Sequence, residues 1–404
     1  MKNREGRVIL GFKILFNAKS KIYNILQFFL QYILPRLVFA PYVIAKFIAS
    51  ILLILPFTNR LFKRPRSVRG VNTRLLTIES GPLGWRLIEY KEIYQSAVEY
   101  IGEAQVEKLV LHKDRSYLSQ VKSYLREKRP SHYAYSPRTA GQTLYTGLRD
   151  AFGVLCLITV YEVTPIVFLT DLPHRRWRAQ AAVVSAINGL VVSLMSPREI
   201  APIFPHSRII GPCIMPFSTR TLMHLERLKA HAPDSEPRYP TFAGALYEPR
   251  ASKLKYLQLQ LRKHGIEFLV KGRAANGERI PDYEYWFHFI SAPIVFTTAD
   301  QVSDKGTDWA YLPHFLYRYT EVLAAGSLLL APHVPGVARY FQPGIHFVEY
   351  RNLDEAVCKI RYYMRHARER EQIAKSGHSR VSDLTRANAF WLGIDIALGL
   401  SSLT

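Results

Sequence analysis

Arg318 and Glu321 stand three residues apart in the otherwise mostly apolar stretch Tyr317-Arg318-Tyr319-Thr320-Glu321-Val322-Leu323-Ala324-Ala325-Gly326. On one helix face at i, i+3, such a pair is either a structural salt bridge or a ligand clamp. A second set follows Thr241-Phe242-Ala243-Gly244. Gly244 lies at a strand-like run, where a missing side chain lets backbone N–H groups approach phosphate. Arg250, Lys253 and Lys255 come shortly after it, and Lys253 reads as a solvated helix-face lysine. A third set, Asp171 and His174, lies just past the apolar run 166–170, and ligands gather at the carboxyl ends of parallel strands. Glu79 and Gly81 hold the same position after the first strand, while Asp171 serves equally well as a helix cap ahead of Pro173.

The motifs that are missing narrow the chemistry. There is no Asp-x-Asp to hold a divalent ion through oxygen ligands; Asp234-Ser235-Glu236 and Asp282-Tyr283-Glu284 fall in a linker and at a helix start. His-Glu-x-x-His, Gly-x-x-x-x-Gly-Lys and Cys-x-x-Cys are also missing. No metal and no cofactor are expected. Cys156, Cys213 and Cys358 have no metal spacing and read as buried thiols in a reducing compartment.

The elements that must position these residues follow from the apolar pattern. The helix 317–326 ends at Gly326, a residue that takes the left-handed conformation of a helix C-terminus, and feeds the buried strand 327–331, closed by Pro332. Upstream, strands are predicted at 73–79, 106–111, 131–135, 153–160, 166–170 and 189–194, with helices at 88–102 and 116–128. The polar, proline-punctuated stretch 229–240 reads as a linker. Beyond it come strands at 241–246, 266–271 and 294–298, and helices at 252–264, 283–290, 353–368 and 371–384. This alternation predicts an α/β chain with two facing Rossmann-like domains, 73–228 and 241–404, and a cleft between them.

A chain of 404 residues with net charge +22 exceeds one ordinary core and at first suggests a nucleic-acid binder. The charge is segregated, however. Residues 1–75 hold fourteen Lys or Arg and one acid, Glu5, so +13 falls there and +9 on the rest. Between those charges runs the apolar stretch 25–57, broken by Pro35, Pro41 and Lys46 and flanked by basic residues such as Lys19, Lys21, Arg60 and Lys63. Residues 1–72 are therefore expected to form a helical membrane-associating segment, lying in the bilayer interface against anionic headgroups. A helical hairpin packed on its own domain is the alternative. The apolar part is too long and too far from the start for a signal peptide. No nucleic-acid partner is expected, because the charge is not spread over a folded face with stacking aromatics.

Read in order, Phe242-Ala243-Gly244 with Arg250, the helix 283–290, Arg318 to Gly326, Phe341-Gln342-Pro343-Gly344, Leu353-Asp354-Glu355-Ala356 and Ile373-Ala374-Lys375-Ser376-Gly377 form an ordered set. Residues 241 to about 390 thereby resemble the C-terminal, nucleotide-binding domain of GT-B glycosyltransferases, most closely the group-1-like branch that includes CgeB-type proteins. The resemblance implies that Glu321 holds the ribose hydroxyls of a nucleotide sugar, accepting charge-assisted hydrogen bonds. It implies that Arg250, with Lys255 second, neutralises the donor diphosphate, near Gly244 and Arg318. Many relatives carry a second Glu where this chain has Pro313. The first half matches only in its α/β rhythm and would supply the acceptor side. There an inverting enzyme needs a base such as Asp171 or His174, whereas a retaining one relies on diphosphate stabilisation. The expectation is a metal-independent, membrane-associated enzyme at the cytoplasmic face, moving a sugar to a lipid-linked or envelope-glycan acceptor. The alternative is a degenerate GT-B scaffold that binds partners at a membrane.

Overall fold

A computed structural model describes residues 74–400, apart from 81–87, 113–114, 138–143, 170–174, 188, 205–206, 232–238, 247, 274–281 and 300–313. The expected membrane-associating segment 1–72 lies outside the described residues. Among the described residues no helix is long and apolar enough to cross a membrane.

The first domain alternates β1 (Leu76–Ser80), α1 (Ile88–Ile101), β2 (Val106–Val110), α2 (Tyr117–Lys128), β3 (His132–Tyr135), α3 (Leu144–Val160), β4 (Thr164–Leu169), α4 (Arg175–Ser185), β5 (Leu190–Ser193), the short α5 (Pro197–Ile200) and β6 (Arg208–Ile210). After α6 (Thr219–Ala230) the second domain adds β7 (Thr241–Ala245), α7 (Arg250–Arg262), β8 (Leu269–Arg273), α8 (Asp282–Ser291), β9 (Ile294–Phe296), α9 (Tyr317–Ala325), β10 (Leu328–Pro332) and β11 (Val348–Tyr350). Three helices close the chain: α10 (Leu353–Arg365), α11 (Ala367–Arg386) and α12 (Ala389–Leu398).

The strands are short and β1, β3 and β5 are buried throughout, as expected where helices cover both faces of a parallel sheet. The sheet orders are β2-β1-β3-β4-β5-β6 and β11-β10-β9-β7-β8. In each domain the first strand lies between the second and the third. The winding reverses there, and a crevice opens at the carboxyl ends of β1 and β3, and of β7 and β9. In the second domain β7 and β9 splay apart almost from the start. Five residue pairs join β7 to β8, from Thr241 with Leu269 to Ala245 with Arg273, whereas Thr241 with Val295 is the one pair that joins β7 to β9.

Cys156 and Cys358, read as buried thiols, are exposed, and one expected strand is overturned. Residues 153–160, read as a central strand, form the second half of α3. A short apolar run does not distinguish a buried strand from a buried helix. The helical spacing is nonetheless present: Ala151, Val154, Leu155 and Ile158 are buried, while Cys156 and Val160 are exposed. The short strands β6 and β11 and the helices α4, α6 and α12 went unread.

The domains are joined by an apolar cluster that runs from Ile93 and Leu190 of the first to Trp286, Val322 and Leu329 of the second. α6 packs against α8, α9 and α11 of the second domain. Its first turn is capped from the first domain, because α1 presents two carboxylates to it. Glu92 accepts from Ser218 N (2.6 Å) and Thr221 Oγ1 (2.6 Å), and Glu99 from Thr219 N (2.8 Å) and Arg220 N (3.1 Å). Negative charge at a helix N-terminus also meets the helix dipole favourably. Although α12 follows the second domain in sequence, it packs on β5 and β6 of the first. Trp391 is buried there, donating from Nε1 to Ser96 Oγ (2.9 Å), and Asp395 accepts from Arg74 and from Tyr100 Oη (2.9 Å). Trp391→Ala should therefore cost about 3–5 kcal/mol in equilibrium denaturation. Leu392→Ala, on the exposed side of the same helix, should stay within about 0.5 kcal/mol.

Candidate functional site

α9 carries the site, and its sequence fixes both of its ends. Gly326 takes φ +76°, so its N–H turns back to Leu323 O (3.0 Å), and Nδ1 of His378 lies 3.0 Å from Ala324 O. At the other end Phe315 N donates to Leu194 O (2.7 Å), just beyond β5, which seats the helix start against the first domain. Between these ends nearly every side chain of α9 is buried, Glu321 included.

A buried carboxylate needs partners, and two elements provide them. Tyr285 on α8 donates its hydroxyl to Glu321 Oε1 (2.7 Å), and Arg318 Nη1 donates to the same tyrosine oxygen (2.5 Å) while lying 3.6 Å from Glu321 Oε2. The Arg318 guanidinium is stacked between rings, 5.4 Å from the centroid of Tyr285 and 5.0 Å from that of Phe289. Burial first, and then Glu321, push the Tyr285 phenol well above its ordinary pKa even though Arg318 opposes them. Tyr285 is therefore a neutral donor at physiological pH, and Glu321 is the anion that faces Arg318. Burial works against the guanidinium charge, but Tyr285 and Glu321 leave its pKa raised, so it remains a cation.

The guanidinium also reaches the end of β7. A Cβ built on Gly244 would sit 3.4 Å from Arg318 Nη2 and 3.1 Å from Phe242 Cζ, and Gly244 itself holds φ +156°. The glycine thus permits both the backbone turn and the approach of the arginine. Arg250, at the start of α7, is buried and closes the other side. It donates from Nε to Thr298 Oγ1 (3.0 Å) and from Nη1 to Ala245 O (3.2 Å), tying together the splayed ends of β7 and β9. Gly244, Arg250, Arg318 and Glu321 are therefore gathered around one crevice at the switch point of the second sheet. Lys255 is not gathered with them: it is exposed, five residues and so about 140° round α7 from Arg250.

Asp171 and His174 lie outside the described residues. Glu79 has its oxygens occupied, Oε2 by the hydroxyls of Tyr133 and Tyr117 and Oε1 by Ser136 N (3.0 Å). It braces the ends of β1 and β3. Among the described residues no group of three or more His, Cys, Asp or Glu side chains is arranged to hold a metal ion. Tyr285 is the site residue that sequence reasoning missed. It lay within the helix expected at 283–290, but an aromatic next to Trp286 reads as core.

Residues 250–388 match the family model described as glycosyl transferase-like, a span that includes Arg250, Arg318 and Glu321. The two-domain core resembles several solved structures, and each is covered in full. A sucrose-phosphate synthase from Thermosynechococcus elongatus aligns over 81% of this chain at 12% identity with a TM-score of 0.54. Anabaena HepE, in complex with UDP and glucose, aligns over 81% at 12% identity with a TM-score of 0.53. A glycosyltransferase from Rickettsia africae aligns over 82% at 9% identity with a TM-score of 0.53. The chain has the two-domain GT-B fold, with a glycosyl transferase-like region in its second half. No curated protein matches its sequence.

In this GT-B chain the cluster at Gly244 makes a specific demand. Gly244→Ala should destabilise by about 1–3 kcal/mol, because the added Cβ meets Phe242 and Arg318 at a backbone angle that only glycine adopts readily. Gly393→Ala, where the Cβ meets nothing within 4 Å, should instead stabilise α12 by about 0.5–1 kcal/mol. Denaturant titration of the two variants checks both signs.

Proposed function

We propose that this glycosyltransferase transfers a sugar from a nucleotide-diphosphate donor to a lipid-linked or cell-envelope glycan acceptor, without a metal, at the cytoplasmic face of a membrane. The observation that carries the donor half is the burial of Glu321 beside Arg318 and Gly244 at the switch-point crevice. A buried carboxylate can accept from both hydroxyls of a ribose. The Arg318 charge and the N-terminus of α9 then favour the adjoining phosphates, and leaving-group charge is best stabilised by dipoles and cations already in place. Arg250 adds a second cation at the same strand ends. The complex of HepE with UDP and glucose supports a nucleotide-sugar partner. The membrane half rests on the basic and apolar character of residues 1–72. Asp171 and His174 remain the proposed acceptor-side bases.

A thermal-shift series with UDP, ADP and GDP tests the donor site, since a ligand that binds only the folded state raises the melting temperature by mass action. One of them should raise it; no shift with any would favour a non-catalytic scaffold. Glu321→Gln keeps an acceptor for Tyr285, whereas Glu321→Ala strands both Tyr285 and Arg318 and confounds stability with activity. The Gln variant should fold and bind that nucleotide about ten- to a hundredfold more weakly. Undiminished affinity would remove Glu321 from the ribose.

A further inference from the structure

Tyr317, the first residue of α9, has a buried hydroxyl with no hydrogen-bond partner among the described residues. The residue is 6% exposed. Buried hydroxyls are nearly always matched, because an unmatched one forfeits the hydrogen bond it had in water. A chain that keeps one in its donor-site helix calls for a reason.

The surroundings supply one. Tyr317 lies four residues before Glu321 on the same helix face, about 6 Å along the axis, close enough for one ligand to span both. Its ring packs against Phe217 at 6.1 Å, which places it where the two domains meet. Burial, and then the nearby charges of Glu92, Glu321 and Glu89, hold the phenol well above its ordinary pKa, so it is a neutral donor. Two of these carboxylates come from α1 of the first domain and one from α9. Glu92 is already bonded to Ser218 N and Thr221 Oγ1, and Glu321 to Tyr285. With three carboxylates around it, a further anionic oxygen at Tyr317 would be repelled, whereas a neutral hydroxyl or ring oxygen accepts the bond without that cost.

We infer that the Tyr317 hydroxyl donates a hydrogen bond to a neutral oxygen of the sugar carried by the donor, one turn along α9 from the ribose, and so helps to determine which sugar is transferred. This rests on the reading that Glu321 holds the ribose. Phosphate recognition belongs to Arg318, Gly244 and Arg250; Tyr317 reads the part of the donor beyond the phosphates.

Tyr317→Phe keeps the ring and its packing and removes only the hydroxyl. The full-length protein and this variant are compared by calorimetry with UDP, ADP and GDP and with their hexose derivatives. The two proteins should bind the bare nucleoside diphosphate equally. The extra affinity that the hexose adds should fall about tenfold in the variant, with no loss of melting temperature. A variant that keeps the full hexose gain, even with a raised melting temperature, overturns the assignment and makes Tyr317 an interface residue only. So does a wild-type protein that binds the nucleoside diphosphate but gains nothing from any hexose, while the donor-site reading stands. Failure of the wild-type protein to bind any of the three nucleoside diphosphates overturns both.

Discussion

The organisation of the second domain follows from one constraint: the charge of Glu321 is buried. A carboxylate taken out of water needs hydrogen-bond donors and an opposite charge, or it destabilises the fold by several kcal/mol. Tyr285 and Arg318 meet that need from two different helices, and Phe289 and the ring of Tyr285 flank the guanidinium. Fixing those contacts fixes the separation of α8 and α9. It also sets the height at which Arg318 arrives at Gly244, so the geometry of the crevice is set by electrostatic neutralisation as much as by apolar packing.

The first domain solves a similar problem differently. Glu79 stands at the corresponding strand end, but it is fully enclosed by Tyr117, Tyr133 and the Ser136 amide. It has become an internal brace. In the second domain the equivalent bracing falls to Arg250, which bonds to the ends of β7 and β9 where the ladder between them has run out. One domain thus has a carboxylate at its switch point, and the other has Arg250 and Arg318 beside Glu321, an excess of positive charge that suits a negatively charged ligand on the second side.

Much of this was legible in the sequence, and for identifiable reasons. α9 announced itself through its charged pair and its terminal Gly326, and the strand after it through a continuous apolar run closed by Pro332. Gly244 drew attention by its position at the end of a strand, and Arg250 through the family resemblance. What escaped were features that depend on long-range contact. The residues of α3 at 151, 154, 155 and 158 have helical spacing, but the run around them is apolar on every side and so mimicked a buried strand. Tyr285 went unread because its hydroxyl is used only once Glu321, 36 residues on, comes into contact. Nor did any local signal show that Glu92 and Glu99 would cap a helix more than a hundred residues away.

The return of α12 to the first sheet has a mechanical consequence. The chain passes between domains near residues 214–217 and again near 384–391, and these two passages line one small cavity together with Ser96. Two crossings far apart would lock the domains, and a single crossing would leave a swivel. Two crossings side by side make a knuckle, with one easy axis of rotation and little freedom to twist.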